Sequence, residues 1–319
     1  MQYKRLGRTG LKVSTICLGT MQFGWSADEA ASYAIMDEAV ALGCNFFDTA
    51  DIYSRWVTGN QGGESETIIG NWLAQKRVRR QDIIIATKVR GRMGEAVTNQ
   101  GLSRHHIMAA VDESLRRLQT DYIDLYQTHS VDPETPLEET LRALDDLVRA
   151  GKVRYIGCSN YPAWLLAKSL WISDVGHLAR YDSLQPHYSL VHRAEFEREL
   201  QPLCQDQQIG VIPYSPLGGG FLTGKYRRDS DLPVSDRASG IRQRYMNERG
   251  FAIVDKLAEI GQAHEATIAQ TAIAWVLANP VVTSAIIGVN SLAQLRETVK
   301  GAEITLSPAE KTALDEISN

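Results

Sequence analysis

At 319 residues the chain is long for an ordinary domain but within the range of single (β/α) barrels, and with 44% hydrophobic and 23% charged residues it can bury a large core, which excludes a disordered chain. Its 34 Lys and Arg against 38 Asp and Glu leave a formal charge of −4, so there is no electrostatic basis for a nucleic-acid partner. Cys17, Cys44, Cys158 and Cys204 lack C-x-x-C spacing and read as buried reduced thiols, with no metal site expected. The start, MQYKRLG, carries no apolar signal-peptide core, and no window approaches the ~18 apolar residues of a membrane span. The expectation is a single cytoplasmic domain over residues 1–319 with no membrane partner.

The opening YKRLG, a turn at Thr9-Gly10 and LKVS read as a small hairpin. Short apolar runs then alternate with helix-period segments: Ile16 to Leu18, Asn45 to Phe47, Ile83 to Thr87, Ile123 to Tyr126, Tyr155 to Cys158, Ser183 to Gln185, Gly210 to Pro213 and Ser284 to Ile287. That pattern predicts an α/β protein, a (β/α)8 TIM barrel with an N-terminal β-hairpin. The basic run from Lys76 to Arg80 reads as cations complementing a helix C-terminus. Thr135-Pro136-Leu137-Glu138 reads as a capping box opening an outer helix with Leu137, Leu141, Leu144 and Val148 on one stripe. Ser307-Pro308-Ala309-Glu310 repeats the signal for a final extra helix. The stretch from Leu217 to Arg249, rich in Gly, Arg, Ser and Asp, reads as an irregular lid after the seventh barrel strand.

Asp48, Tyr53, Lys88 and His129 each close a separate strand run. The carboxyl ends of parallel barrel strands share one face, so the four should converge. A phenol with an ordinary pKa near 10 is a weak acid, and an adjacent ammonium lowers that value; Lys88 can act so on Tyr53, with Asp48 keeping Lys88 charged. Tyr53 then serves as general acid in a carbonyl reduction, with His129 orienting the carbonyl oxygen. No side chain supplies a hydride, so a nicotinamide cofactor is required. Trp25 and Trp56 follow the first and second strands and would flank a pocket for an aromatic or sugar-like carbonyl compound.

GTMQFG from Gly19, DTADIY from Asp48, GESE from Gly63, Lys88, His129, GCSN from Gly157, Gln185, YSPLGGG from Tyr214, GKY from Gly224 and the stretch from Ile286 to Glu297 fall in one order. By these motifs the chain resembles the aldo-keto reductases over nearly its whole length, and in particular the branch that includes potassium-channel β-subunits and bacterial reductases. The resemblance implies that Asp48, Tyr53, Lys88 and His129 are the catalytic tetrad. Ser159, Asn160 and Gln185 would hold the nicotinamide carboxamide, with Tyr214 stacked on its ring. Gly19, Thr20 and Met21 would line the cofactor site. Ser215, Pro216, Leu217, Gly219 and Lys225 would grip the pyrophosphate, and Gly288, Asn290, Ser291, Gln294, Glu297 and Thr298 would meet the adenosine end at a helix N-terminus. Family reductases often carry Lys or Arg after the glycine matching Gly288, and an Asn where Thr298 stands. Here Val289-Asn290 and Thr298 occupy those places, leaving Lys225, Arg237, Arg242 and Arg244 of the lid to meet a 2′-phosphate. The expected cofactor is NADP, with NAD as the other candidate.

The segment from Ser54 to Gly62 is longer than the family's common form and is expected to shape the substrate pocket. The leading expectation is reversible, NADP(H)-dependent reduction of aldehydes or ketones, by a monomer or an oligomer. A cofactor-binding regulatory subunit similar to potassium-channel β-subunits is the alternative, which the complete tetrad opposes. A Schiff-base lyase using Lys88 is a third reading, opposed by the pairing of Lys88 with Asp48.

Overall fold

The structure, a computed structural model, describes residues 1–75, 77–228, 232–233 and 238–319. Strands β1 (Tyr3–Arg5) and β2 (Lys12–Ser14) pair antiparallel, with Tyr3 opposite Ser14, and form the expected hairpin. Eight parallel strands follow among the described residues: β3 (Ile16–Gly19), β4 (Phe46–Asp48), β5 (Ile84–Val89), β6 (Ile123–Thr128), β7 (Val153–Ser159), β8 (Tyr181–Gln185), β9 (Gly210–Val211) and β10 (Ala285–Gly288). They neighbour one another in chain order, with β10 beside β3. The N–H groups of Thr283 and Ile286 donate to the carbonyls of Val211 (2.8 Å) and Pro213 (2.9 Å), which brings β10 back to β9 and curls the sheet into a (β/α)8 barrel. Each expected strand is present, its ends displaced by at most two residues.

Strand periodicity divides the apolar residues in two. Cys17, Phe46, Ile84, Ala86, Leu125, Ile212 and Ile286 fill the barrel interior, where Leu6 and Val13 of the hairpin join them and plug the N-terminal end. Leu18, Phe47, Ile85, Tyr126, Leu184 and Ile287 face outward to the helices. With its lower end packed, the barrel has its polar inward side chains at the opposite, carboxyl end.

The outer layer comprises α1 (Glu29–Ala41), α2 (Glu64–Ala74), α3 (Arg104–Leu118), α4 (Leu137–Arg149), α5 (Ala163–Gly176) and α6 (Gln201–Gln207). After β9 come α7 (Ala238–Tyr245), α8 (Glu248–Ala263) and α9 (Ile268–Leu277), and after β10 come α10 (Leu292–Val299) and the final α11 (Pro308–Ile317). The capping box at Ser307 and Glu310 is formed as expected. That at Thr135 is not: Pro136 is the N-cap, and the Thr135 hydroxyl donates to Asp132 at 2.7 Å. Asp132 also accepts from the N–H of Leu102 at 2.7 Å, so Thr135 belongs to a loop anchored on that carboxylate and not to the helix. Thr267 and Gln270 form a capping box at α9 that the T-x-x-Q spacing announces but that was not among the expectations.

The basic run does not serve a helix dipole. Helix α2 ends at Ala74, Lys76 lies outside the described residues, and Arg77, Arg79 and Arg80 pair with Asp37, Asp82 (2.8 Å) and Asp124 (2.7 Å). Carboxylates on neighbouring elements offer a full opposite charge where a helix end offers a partial one. The described part of the lid is likewise more ordered in form than its composition suggests. It holds a 3-10 turn at Gly218–Thr223 and α7, whose Ala238, Ile241 and Tyr245 at i, i+3 and i+7 are buried. That apolar stripe is the signal a composition-based reading passes over.

Candidate active site

Asp48 ends β4 and Lys88 sits one residue before the end of β5; both follow inward-facing neighbours at i−2, so both point into the barrel. The Lys88 Nζ is fully buried and donates to Asp48 Oδ1 (2.5 Å), the Thr49 carbonyl (2.8 Å) and Tyr53 Oη (3.0 Å), using all three of its protons. Burial pulls the ammonium's pKa down, but Asp48 and Tyr53 push it up by more, so it stays charged. The other Asp48 oxygen accepts from the amides of Gln185 (2.8 Å) and Gln127 (3.1 Å), which are themselves 3.2 Å apart. Gln127 was not among the expected site residues. It stands two residues before His129 on β6, and strand alternation is the signal that could have found it.

Tyr53 lies in the turn after β4 with its ring edge-on to His129 (centroids 5.9 Å apart) and to Trp56 (6.4 Å). Lys88 lowers the phenol's pKa as expected, but burial raises it more and Asp48 adds to the rise, so the balance is upward. This corrects the expectation of a net depression: removing the phenolate from water outweighs one neighbouring cation. The hydroxyl therefore carries its proton at neutral pH, as a proton donor must.

His129 follows β6 at the barrel mouth, and burial together with Lys88 and Arg90 lowers its pKa to about 3. It is neutral at pH 7. Its unfolded value near 6.5 lies above its folded one, so between those limits the unfolded state binds the extra proton and stability falls as pH falls. At pH 5 the loss expected from His129 is ~1–2 kcal/mol. Urea unfolding of His129→Gln at pH 7 and pH 5 should show a smaller acid loss than the parent by that amount; an identical loss would remove His129 from this role.

Ser159 ends β7, and its hydroxyl donates to the Gln185 carbonyl at 2.8 Å. The Asn160 amide donates to the His129 carbonyl (3.0 Å) and accepts from Tyr214 Oη (2.9 Å), linking three strand ends. Asn160 (φ 57°) and Ser215 (φ 55°) both take the left-handed backbone that non-glycine residues rarely adopt, a strain typical of ligand-holding sites. The Tyr214 ring is backed by His187 at 5.1 Å and 11°, which is backed in turn by His192 at 3.9 Å and 18°. A flat, supported, partly exposed phenol ring beside an amide and a hydroxyl fits a nicotinamide. Past it, Pro216 and Leu217 lead into Gly218, Gly219 and Gly220 at φ 57°, 69° and 104°, a tight left-handed turn in which the N–H groups of Gly218 and Gly220 donate to the carbonyls of Ser215 (2.9 Å) and Leu217 (3.0 Å). Lys225 is exposed nearby, its Nζ 5.4 Å from the Tyr226 ring.

On the opposite rim, Gly19 ends β3 beside Gly288 of β10, and a Cβ on Gly19 would come within 2.7 Å of Ile286. The Thr20 hydroxyl is turned inward to the Asp48 carbonyl at 3.0 Å, while Met21 is partly exposed. Ser291 caps α10 by accepting from the Gln294 N–H, whose side chain accepts from the Asn290 N–H at 2.8 Å. Asn290 also accepts from Ser26 at 2.9 Å, which ties the loops after β10 and β3 together. Glu297 is exposed on α10, whereas the Thr298 hydroxyl is turned back to the Gln294 carbonyl at 2.7 Å. Arg237 lies outside the described residues; Arg242 and Arg244 are exposed on α7.

The segment after Tyr53 is pinned to the loop after β3. Ser54 donates to the Phe23 carbonyl (2.7 Å) and Asn60 to the Gly24 carbonyl (3.1 Å). These bonds set Trp25 and Trp56 edge to face at 5.5 Å, next to Tyr53. A cavity of about 540 Å³ opens on the other side, lined by Asn160, Pro186, His187, Arg198 and Tyr214 among others; neither Trp borders it.

Fold and site together define a (β/α)8 barrel whose strand ends gather on one buried lysine. The sequence model described as the Aldo/keto reductase family matches residues 15–319, and the chain belongs to that family of oxidoreductases. It is 42% identical to an uncharacterized oxidoreductase of Bacillus subtilis, over 96% of this chain and 92% of the relative. It is 35% identical to a versiconal hemiacetal acetate reductase of Aspergillus parasiticus (99% and 96% covered) and to a probable voltage-gated potassium channel subunit beta of Arabidopsis thaliana (95% and 92%). Among the described residues no helix is long and apolar enough to cross a membrane, and no cluster of three or more His, Cys, Asp or Glu is placed to hold a metal ion.

Proposed function

We propose that this chain is an NADP(H)-dependent reductase of aldehydes and ketones, reversible as an alcohol dehydrogenase. The observation that supports it is the Lys88 ammonium bonded at once to Asp48 (2.5 Å) and Tyr53 (3.0 Å), with His129 against the same phenol. A bound nicotinamide supplies the hydride to the carbonyl carbon. Tyr53 Oη gives its proton to the carbonyl oxygen, and neutral His129 donates a hydrogen bond that holds that oxygen in place. Lys88 stabilises the phenolate that remains, and the Asp48 carboxylate keeps Lys88 aimed. In this reading Ser159, Asn160 and Gln185 hold the carboxamide of the nicotinamide, with Tyr214 stacked on its ring. Arg242 and Arg244, which make no ion pair with a described residue, favour the 2′-phosphate of NADP over NAD.

The test is cofactor oxidation with NADPH and with NADH across aliphatic and aromatic aldehydes, ketones and sugars. Turnover with NADPH at a kcat/KM at least tenfold above that with NADH supports the reading. No turnover with any compound, joined to co-purification of a membrane channel, would favour a regulatory subunit like the Arabidopsis relative.

Trp25 and Trp56 beside Tyr53 favour flat aromatic carbonyl compounds, held by stacking worth ~0.5–1.5 kcal/mol per ring pair. Trp56→Ala should therefore raise KM for an aromatic aldehyde about five- to tenfold and leave KM for a short aliphatic one within twofold. Trp56 is 49% exposed, so folding stability should change by less than ~1 kcal/mol. An equal rise for both substrates would assign Trp56 a packing role.

A further inference from the structure

Helix α5 departs from the pattern of the barrel's outer helices. Its inner face buries Leu165, Leu166, Ser169, Leu170, Ile172 and Ser173. Its outer face, where a helix normally carries charge, presents Trp164 (65% exposed), Trp171 (63%) and Val175 (64%), along with Ala167, Lys168 and Asp174. Neither indole makes a hydrogen bond or ring contact with a described residue. Residues 164, 167, 168, 171, 174 and 175 recur at spacings of three and four, the pattern of a seam that meets another helix. Two exposed tryptophans on one such seam mark an association surface, since Trp dominates the core of protein interfaces and is seldom left in water.

We propose that a second copy of this chain occupies this face, packed with α5 antiparallel to α5 about a two-fold axis through Trp171. A two-fold axis there pairs residue 171−k of one copy with residue 171+k of the other. Each pairing is then complementary. Trp171 meets Trp171, the small Ala167 meets Val175, and Lys168 meets Asp174. Trp164 reaches Leu178 just past the helix end. Asp174 already accepts from Arg180 at 3.2 Å, so the axis would join two Arg-Asp-Lys clusters, one on each side of the aromatic centre. No other register about this helix matches both the charges and the sizes. Four indoles at roughly 150–250 Å² apiece, about two thirds open in the single copy, supply on the order of 500 Å². Val175, Ala167 and the Lys168 stems bring the area toward the ~1,000 Å² of a specific interface. The face lies on the outside of the barrel, away from Tyr53, so turnover per subunit does not depend on it.

Light scattering and sedimentation velocity on the full chain should report twice the mass of one copy at micromolar concentrations. Trp164→Ala with Trp171→Ala should shift the chain to a single copy with unchanged turnover per subunit. Cysteine cross-linking tests the register. The four native cysteines are buried, so introduced thiols are the accessible ones. Positions 167 and 175 are ~12 Å apart along one helix, beyond disulfide reach, but opposite each other across the axis. Ala167→Cys with Val175→Cys in one chain should form a disulfide-linked dimer under mild oxidation, and neither single variant should. A native chain that stays a single copy at 100 µM overturns the proposal, as does equal cross-linking by the single and double variants. So does a single-copy chain that sediments with phosphatidylcholine vesicles through this face.

Discussion

Replacing Tyr53 by Phe is expected to lower kcat for carbonyl reduction by about a thousandfold while leaving NADPH affinity within twofold. Only the hydroxyl is lost: the ring keeps its edge contacts with His129 and Trp56, and Lys88 keeps its bonds to Asp48 and the Thr49 carbonyl. The groups proposed to hold a nicotinamide, Ser159, Asn160, Gln185 and Tyr214, are untouched. A positioned general acid contributes ~10²–10⁴ in rate, and a thousandfold corresponds to ~4 kcal/mol of barrier. The pH profile adds a second readout. Burial holds the phenol above its ordinary pKa, so reduction should be insensitive to Tyr53 ionisation through neutrality and fall only in alkali. The variant's residual rate should lack that alkaline limb. Turnover within tenfold of the parent would take the proton from another group.

Lys88→Met should be the most damaging change to stability and activity together. Methionine matches the stem but donates nothing, so Asp48, 1% exposed, keeps only the amides of Gln127 and Gln185. Breaking a buried pair by removing one partner costs ~3–5 kcal/mol, because the other charge stays out of water. Activity should fall by at least a thousandfold, as the phenolate left by proton transfer loses its cation. The double variant Lys88→Met with Asp48→Asn separates the two effects. It should recover most of the lost stability, measured by urea midpoint, and none of the activity. Recovery of turnover in the double variant would show that Lys88 acts through structure alone.

Much of the barrel is legible in the chain because its signals are local. Strand β5 reads as an apolar run ending in a lysine, and β6 as another ending beside a histidine, since a strand buried on both faces must be apolar until it reaches the mouth. The convergence of Asp48, Tyr53 and Lys88 then follows from topology. Ser307 and Glu310 were equally plain, because a capping box closes within one turn of chain. The box at Thr135 does not form because the chain there is organised around the Asp132 carboxylate, which accepts from both the Thr135 hydroxyl and the distant Leu102 N–H, a contact that local spacing does not show.

The sequence by itself determined the alternation of strands and helices, the order of polar residues at the strand ends, and the family to which the chain belongs. Only the tertiary structure decided how Gln127 and Gln185 share Asp48, which way the Tyr53 pKa moves, and that α5 turns two tryptophans outward. The reason is physical. Periodicity and capping act over a few residues of chain, whereas desolvation and hydrogen-bond competition depend on every atom the fold brings near a group, whatever its distance in sequence.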